Sequence, residues 1–306
     1  MRFSLWLWPY GRWGGFEAMG AAARRAEELG FASVSVSDHT ICTTGPESDG
    51  VTHFWPDWSV LSTYLALQTT RIRILTSLVV PYRPVFPTAK QIATIDGVSG
   101  GRFTLAAAVG WLQPEFEMLG VSYKDRGSIT DEYLRAMKAL WTEDRPEFSG
   151  RHVAFSDIVF EPKCVQEPHV PIWVAGGSGR GPMERLLELG EGWMPMGGDT
   201  GNELRDTIAR VKDEAARRGR DPDAITFRYT IGVGEVNAAL ASISKSISVG
   251  DPAALGHDGS PAAVAAEVAR FQDAGFTELA INFSGESAGE VMEQLDWFGA
   301  EVMPLL

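Results

Sequence analysis

The chain has 306 residues, 44% of them hydrophobic and 22% charged, with a formal net charge of −13. That is the make-up of a globular protein with ample core material. The acidic balance repels nucleic acid and anionic membrane on average, although a local basic patch could still hold one phosphate.

The first stretch, RFSLWLW (2–8), is apolar and aromatic. It is too short for a signal-peptide core or a bilayer span, so it reads as a strand. FEAMGAAARRAEELG (16–30) has helical spacing and stops at Gly30. SVSVSDH (33–39) follows as a second strand that ends on a carboxylate and an imidazole. Next come a helix over 57–70, a strand RIRILTSLVV (71–80), a helix over 87–101, a strand RFTLAAAVG (102–110) and a helix over 126–142. The alternation breaks at 150–168, which reads as an inserted pair of short strands. It resumes with VPIWVAGG (170–177), a helix from 181, a short strand at GWMPMG, a helix over 203–219 and a strand over 225–233. Residues 235–260, rich in Ala, Ser and Gly, fit no element. A helix over 260–276, the strand ELAINF and a last helix complete the chain.

Eight strand–helix alternations with several continuously apolar strands predict a (β/α)₈ TIM barrel with insertions, spanning 1–306 as one domain. An open doubly wound sheet is the competing fold, but no G-x-G-x-x-G follows the first strand. Cys42 and Cys164 are the only cysteines and form no C-x-x-C. Neither a zinc site nor a disulfide framework is expected, and a reducing cytoplasm fits. H-x-H, H-E-x-x-H and the phosphate-loop motif are all missing, so metal-hydrolase chemistry is not expected.

In a barrel, chemistry gathers at the C-terminal strand ends. Those ends are Trp8, Asp38–His39, Ser77 to Pro81, Gly110–Trp111, Gly176 to Gly179 and Met194 to Met196. His39 is either a histidine satisfied by a turn, with Asp38 as a cap, or a donor and proton carrier. AGGSGRG (175–181) is either a tight turn or a phosphate cradle at a helix start. On spacing alone Trp111 reads as a core residue and Pro81 as a strand stop.

Taken in order, the ARRAEELGF helix leading into SVSVSDH, RIRILTSLVVPYRPVFPTAKQIATIDGVSGGRFTLAAAVGW, VPIWVAGGSGR…LGEGWMP and GSPAAVAAEVARFQDAGF resemble the bacterial luciferase-like monooxygenase superfamily. The likeness is strongest to the branch that uses coenzyme F420, a deazaflavin. It covers nearly the whole chain. The resemblance implies a (β/α)₈ barrel, often a homodimer, with Asp38 and His39 beside the ring system as catalytic residues. It also implies a non-proline cis peptide at Ser77–Leu78 that bulges behind the ring, Gly110 and Trp111 against the cofactor, and a phosphate on the turn after strand five. The cofactor-binding set is then Ser77, Leu78, Gly110, Trp111, Ala175, Gly176, Gly177, Ser178, Gly179 and Met194, with no metal. One departure stands out: the branch's sugar-phosphate dehydrogenases carry an acid where this chain has Trp111, so that activity does not carry over.

The expected activity is hydride transfer between coenzyme F420 and a small organic substrate, with Trp8, Trp55 and Trp111 as apolar walls. Two alternatives stand beside it: an FMN-dependent monooxygenase on the same scaffold, and a non-catalytic flavin-binding barrel. The 40–56 and 235–260 loops are the expected lid, and the substrate is not named by the residues.

Overall fold

The computed structural model describes residues 1–44, 53–196, 201–233, 260–283 and 285–306. Within the two expected lid segments, residues 45–52 and 235–259 lie outside the described residues.

Eight parallel strands close into a barrel. They are β1 (Arg2–Trp6), β2 (Ser33–Ser37), β3 (Arg73–Val79), β4 (Phe103–Ala108), β7 (Ile172–Ala175), β8 (Gly192–Met194), β9 (Thr226–Val233) and β10 (Glu278–Phe283), in the closed order β1-β10-β9-β8-β7-β4-β3-β2. The inserted pair is a minimal antiparallel hairpin, β5 (Phe148–Ser149) with β6 (Ala154–Phe155). The outer ring holds α1 (Phe16–Glu28), α2 (Trp58–Gln68), α3 (Val85–Ser99), a short α4 (Gln113–Met118), α5 (Arg126–Thr142), α6 (Arg180–Leu189), α7 (Gly201–Arg217), α8 (Pro261–Asp273) and α9 (Ala288–Trp297). The (β/α)₈ architecture is thus the one expected.

Local chemistry sets the element ends. Asp57 caps α2 by accepting the Ser59 and Val60 N–H groups, and Ser260 and Ser287 cap α8 and α9 in the same way. α3 ends where Gly100 turns left-handed at φ +66°.

Strand alternation sorts residues between two cores. In β2, Val34 and Val36 are fully buried in the layer between barrel and helices. Ser33, Ser35 and Ser37 face the barrel interior. There Ser33 meets Ser4 at 2.6 Å, Ser37 accepts from Trp6 Nε1 at 3.0 Å, and Ser35 accepts from Arg228. The lower interior is a polar plug. Glu278 accepts from Ser4 and lies 3.4 Å from Arg228 Nε, while Arg228 Nη1 meets Met194 Sδ at 3.6 Å. Burial pulls the Arg228 guanidinium down to about 10, which still leaves it charged at neutral pH. Above the plug the inner face widens. Trp6, Ser37, Ser77, Ala108 and Thr230 are only partly buried, so the barrel is open at its C-terminal mouth. Among the described residues no helix is long and apolar enough to cross a membrane.

At the opposite end, Glu27 ties α1 to the loop before β3. Its carboxylate accepts the N–H groups of Thr70, Arg71 and Ile72 at 2.8, 2.6 and 2.9 Å. Partial burial pushes this carboxyl up, but the N–H donors outweigh that and hold it down to about 2, against an ordinary 4.5. A depressed carboxyl stabilises the fold above its unfolded pKa and loses that contribution as pH falls through its folded one. Glu27→Gln should therefore lower the urea midpoint at pH 7. The gap to the parent should shrink as pH falls from about 4.5 toward 2, in parallel urea titrations.

Candidate active site

The chain leaves β2 with its alternation intact. Ser37 faces inward, Asp38 turns away from the mouth, and His39 comes back toward it. Asp38 is 4% exposed and its oxygens are engaged. Arg83 grips both at 2.7 Å, and Val79 donates its N–H at 3.2 Å. Complete burial raises the Asp38 carboxyl pKa against the pull of Arg83. This pair clamps the β2 exit to the β3 exit, and Arg83 also reaches Thr40 Oγ1 at 2.9 Å.

His39 is held by a residue on α4, an element the periodicity did not predict. Glu115 is fully buried and accepts from His39 Nδ1 at 2.6 Å, from the Thr40 and Ile41 N–H groups at 2.6 and 2.9 Å, and from Tyr82 Oη at 2.8 Å. Burial alone would raise the Glu115 carboxyl. Its hydrogen bonds, led by His39, outweigh that and hold it below the usual glutamate range. Burial and the neighbouring Glu115 charge push the Tyr82 phenol far up, so it stays a donor. With Glu115 ionised, the proton between the two sits on Nδ1, and Nε2 is the nitrogen left over. Among the described residues Nε2 has no hydrogen-bond partner. The one advance sign of Glu115 was the Gln-Pro-Glu sequence: proline favours a helix's first turn, and an acid there suits the helix dipole.

Aromatic rings surround the imidazole. Trp55 lies 4.8 Å and Trp111 5.8 Å from it, both edge-on, and Tyr10 packs against Trp55 at 5.5 Å. On β1 and just beyond it, Trp6 stacks on Trp8 at 5.3 Å.

The other predicted residues fall on the same rim, because β2, β3, β4, β7 and β8 are neighbours and all parallel. Gly110 has φ +80°, and a Cβ there would lie 2.7 Å from Phe116 and Val79, so this turn after β4 requires glycine. Ala175 ends β7, and the Gly176 N–H donates to Met194 O at 3.0 Å. Gly179 is the N-cap of α6, and no side chain caps that helix. Built Cβ atoms at Gly179 and Gly181 meet nothing within 4 Å, and one at Gly177 meets only Met196 O at 3.7 Å. Ser178 lies between them, half-buried. Met194 sits lower than the rim, packed with Leu75, Ala106, Trp173 and Ala175.

Two expectations at β3 need correction. The Ser77–Leu78 peptide is trans. Among the described residues the cis bonds are Trp8–Pro9, Glu161–Pro162 and Glu167–Pro168. The reason is visible in the register: β3 stays paired to β2 through Ser77 and to β4 through Val79, with no bulge. Ser77 therefore faces the mouth, while the Leu78 side chain is fully buried in the barrel–helix layer.

With this geometry in hand, comparison with known proteins is informative. The family model described as luciferase-like monooxygenase matches residues 7–236. The chain belongs to the luciferase-like monooxygenase family. An FMNH₂-dependent dimethylsulfone monooxygenase of Pseudomonas putida is 28% identical over 65% of this chain and 55% of that protein. The chain therefore spans about half the length of that relative. An uncharacterised Mycobacterium tuberculosis protein is 31% identical over 71% of this chain and 84% of its own length. Among solved structures, the monooxygenase RslO1 from Streptomyces bottropensis superposes with a TM-score of 0.82 at 22% identity, covering 99% of each chain. An F420-dependent secondary alcohol dehydrogenase gives 0.77 at 21% identity, covering 99% of this chain and 98% of that one. Both of these structures share the barrel fold of this chain.

The clamp outside the mouth is testable in this luciferase-like chain. Arg83→Met leaves Asp38 buried without its counter-charge, and should cost about 3 kcal/mol of stability. Urea denaturation at pH 7 measures it.

Proposed function

We propose that this chain is an F420-dependent oxidoreductase that moves a hydride between the deazaflavin and a small organic substrate. The observation that carries this reading is the pairing, on one rim, of His39 locked by Glu115 with the uncapped, glycine-lined start of α6. The residues suit such a group. Gly177 and Gly179 leave open space at the start of α6, and a phosphate would fit there. Ser77, Ala106, Ala108 and Ala175 keep the inner face shallow enough for a flat ring, and the Gly110–Trp111 turn borders it. When bound, the deazaflavin supplies the hydride chemistry itself.

The protein's part is positioning, water exclusion and proton handling. His39 holds or delivers a proton at Nε2, the atom Glu115 leaves free. The buried Glu115 carboxylate engages Nδ1 and fixes the ring's tilt. General acid–base help of this kind is worth roughly 10²–10⁴-fold. Trp55 and Trp111 shield the imidazole from bulk water. Asp38, saturated by Arg83, anchors the loop that carries His39.

A second reading is an FMN-dependent monooxygenase, favoured by the relatives named FMNH₂-dependent dimethylsulfone monooxygenase and pyrimidine monooxygenase RutA. A third, a non-catalytic flavin-binding barrel, requires that His39 affect affinity alone. Anaerobic titration with F420 and with FMN decides between the first two. Tight F420 binding is expected; FMN binding with oxygen uptake and no F420 binding would hand the site to the second.

Substitutions divide the roles. His39→Ala should lower turnover per folded molecule about 10²-fold or more, and should also lower the melting temperature because it takes a donor from the buried Glu115. Glu115→Gln should lower turnover less and shift the pH profile. Gly177→Val should abolish cofactor binding without unfolding the chain, because only Met196 O is near the new side chain. Undiminished binding would exclude the phosphate cradle.

The homodimer is part of the same proposal. Val60 and Leu67 on the outward face of α2 are 67% and 68% exposed, and α2 is apolar on most sides. A second copy would cover that face. Leu67→Asp should then convert a dimer to a monomer in size-exclusion chromatography with light scattering; a monomeric parent would remove the assignment.

A further inference from the structure

We infer that the substrate is a neutral, planar aromatic molecule that docks against the tryptophan wall at the β1–β2 side of the mouth. This rests on the oxidoreductase reading of the site and names the class of molecule it takes.

The closed strand order places β1 four strands from β7 in either direction, so the two lie directly across the mouth. The glycine turn at the start of α6 is on the β7 side, together with the exposed Arg180. That side suits an anionic tail. The β1–β2 side is built differently. Trp6 stacks on Trp8, and its only polar atom is spent on Ser37 Oγ, so what Trp6 offers the half-open mouth is ring face. Two residues beyond Ser37, His39 carries Trp55 and Trp111 edge-on, and both indoles are half-buried. Rings of this kind attract another flat ring through stacking and edge contacts.

The cations on this side are turned to groups of the chain itself. Arg12 donates to the carbonyls of Trp8 and Phe283. Arg83 is bidentate on Asp38. Arg126 donates to Gly110 O and Tyr123 O and stacks over the Tyr123 ring at 3.9 Å. The carboxylates nearest His39, Asp38 turned away from the mouth and Glu115 fully buried, are both hydrogen-bonded by the chain. A charged substrate would lose its water here with no ionic side chain turned toward it, which is costly. A neutral ring loses little, and His39 Nε2 is a polar atom available to a hydroxyl or carbonyl on its edge.

Matched ligands test this by calorimetry on the full chain, alone and saturated with whichever of F420 or FMN it binds. The ligands are 2-naphthol, 2-naphthoate and decahydro-2-naphthol. 2-Naphthol should bind at least ten-fold more tightly than either of the others. Trp6→Ala and Trp111→Ala should each weaken it at least five-fold, and Trp111→Phe should restore most of the loss. Should Trp6→Ala fail to fold, Trp6→Leu keeps the bulk, removes the ring face and carries the same expectation. Equal or tighter binding of the naphthoate or the saturated alcohol, absence of 2-naphthol binding, or indifference to the tryptophan variants would overturn the inference. Ring binding with neither cofactor bound would leave the wall standing and remove the redox reading. Turnover of a charged or aliphatic substrate would do the reverse.

Discussion

One buried carboxylate organises the mouth. Glu115, placed on α4 after β4, gathers donors from two separate places: the imidazole and two backbone N–H groups after β2, and the phenol of Tyr82 after β3. A charge in that location is tolerated only because every one of these donors is present. The same condition fixes the imidazole's tautomer and tilt. The geometry of His39 is therefore a consequence of satisfying Glu115. Asp38, next in sequence to His39, does separate work by locking the outer side of the same loop to Arg83.

The fold was legible because its signals repeat. Eight apolar strands and the helices between them announce a barrel, and a barrel dictates that strands ends share a rim. Asp38–His39, Gly110–Trp111 and the 176–179 turn could be placed together on that ground before any coordinates. Glu115 was not legible in the same way. Its helix is six residues long, too short for periodicity to register, and its partners are 33 to 76 residues away in the chain. The division of labour at 38 and 39 was equally hidden. Two adjacent polar residues look alike in sequence, but strand alternation sends them to opposite sides. The bond at Ser77–Leu78 shows the limit of resemblance: the strand's own pairing with both neighbours keeps it trans and regular.

The tryptophans illustrate how composition acquires meaning only through topology. Ten in one chain suit a large core or a pocket equally well. Trp13, Trp58, Trp141 and Trp193 prove to be core residues, fully enclosed. Trp6, Trp55 and Trp111 keep part of their surface at the mouth. What separates the two groups is whether the ring is enclosed in the core or lies at the C-terminal end of the barrel.

The polar plug in the lower barrel has a kinetic corollary. Arg228, Glu278, Ser4, Ser33 and Ser35 close the interior from below, so among the described residues the way in is the C-terminal mouth. Whatever enters deepest must wait for whatever enters after it to depart. A barrel sealed in this way works as a stack, last in and first out, and the order in which its occupants arrive dictates the order in which they leave.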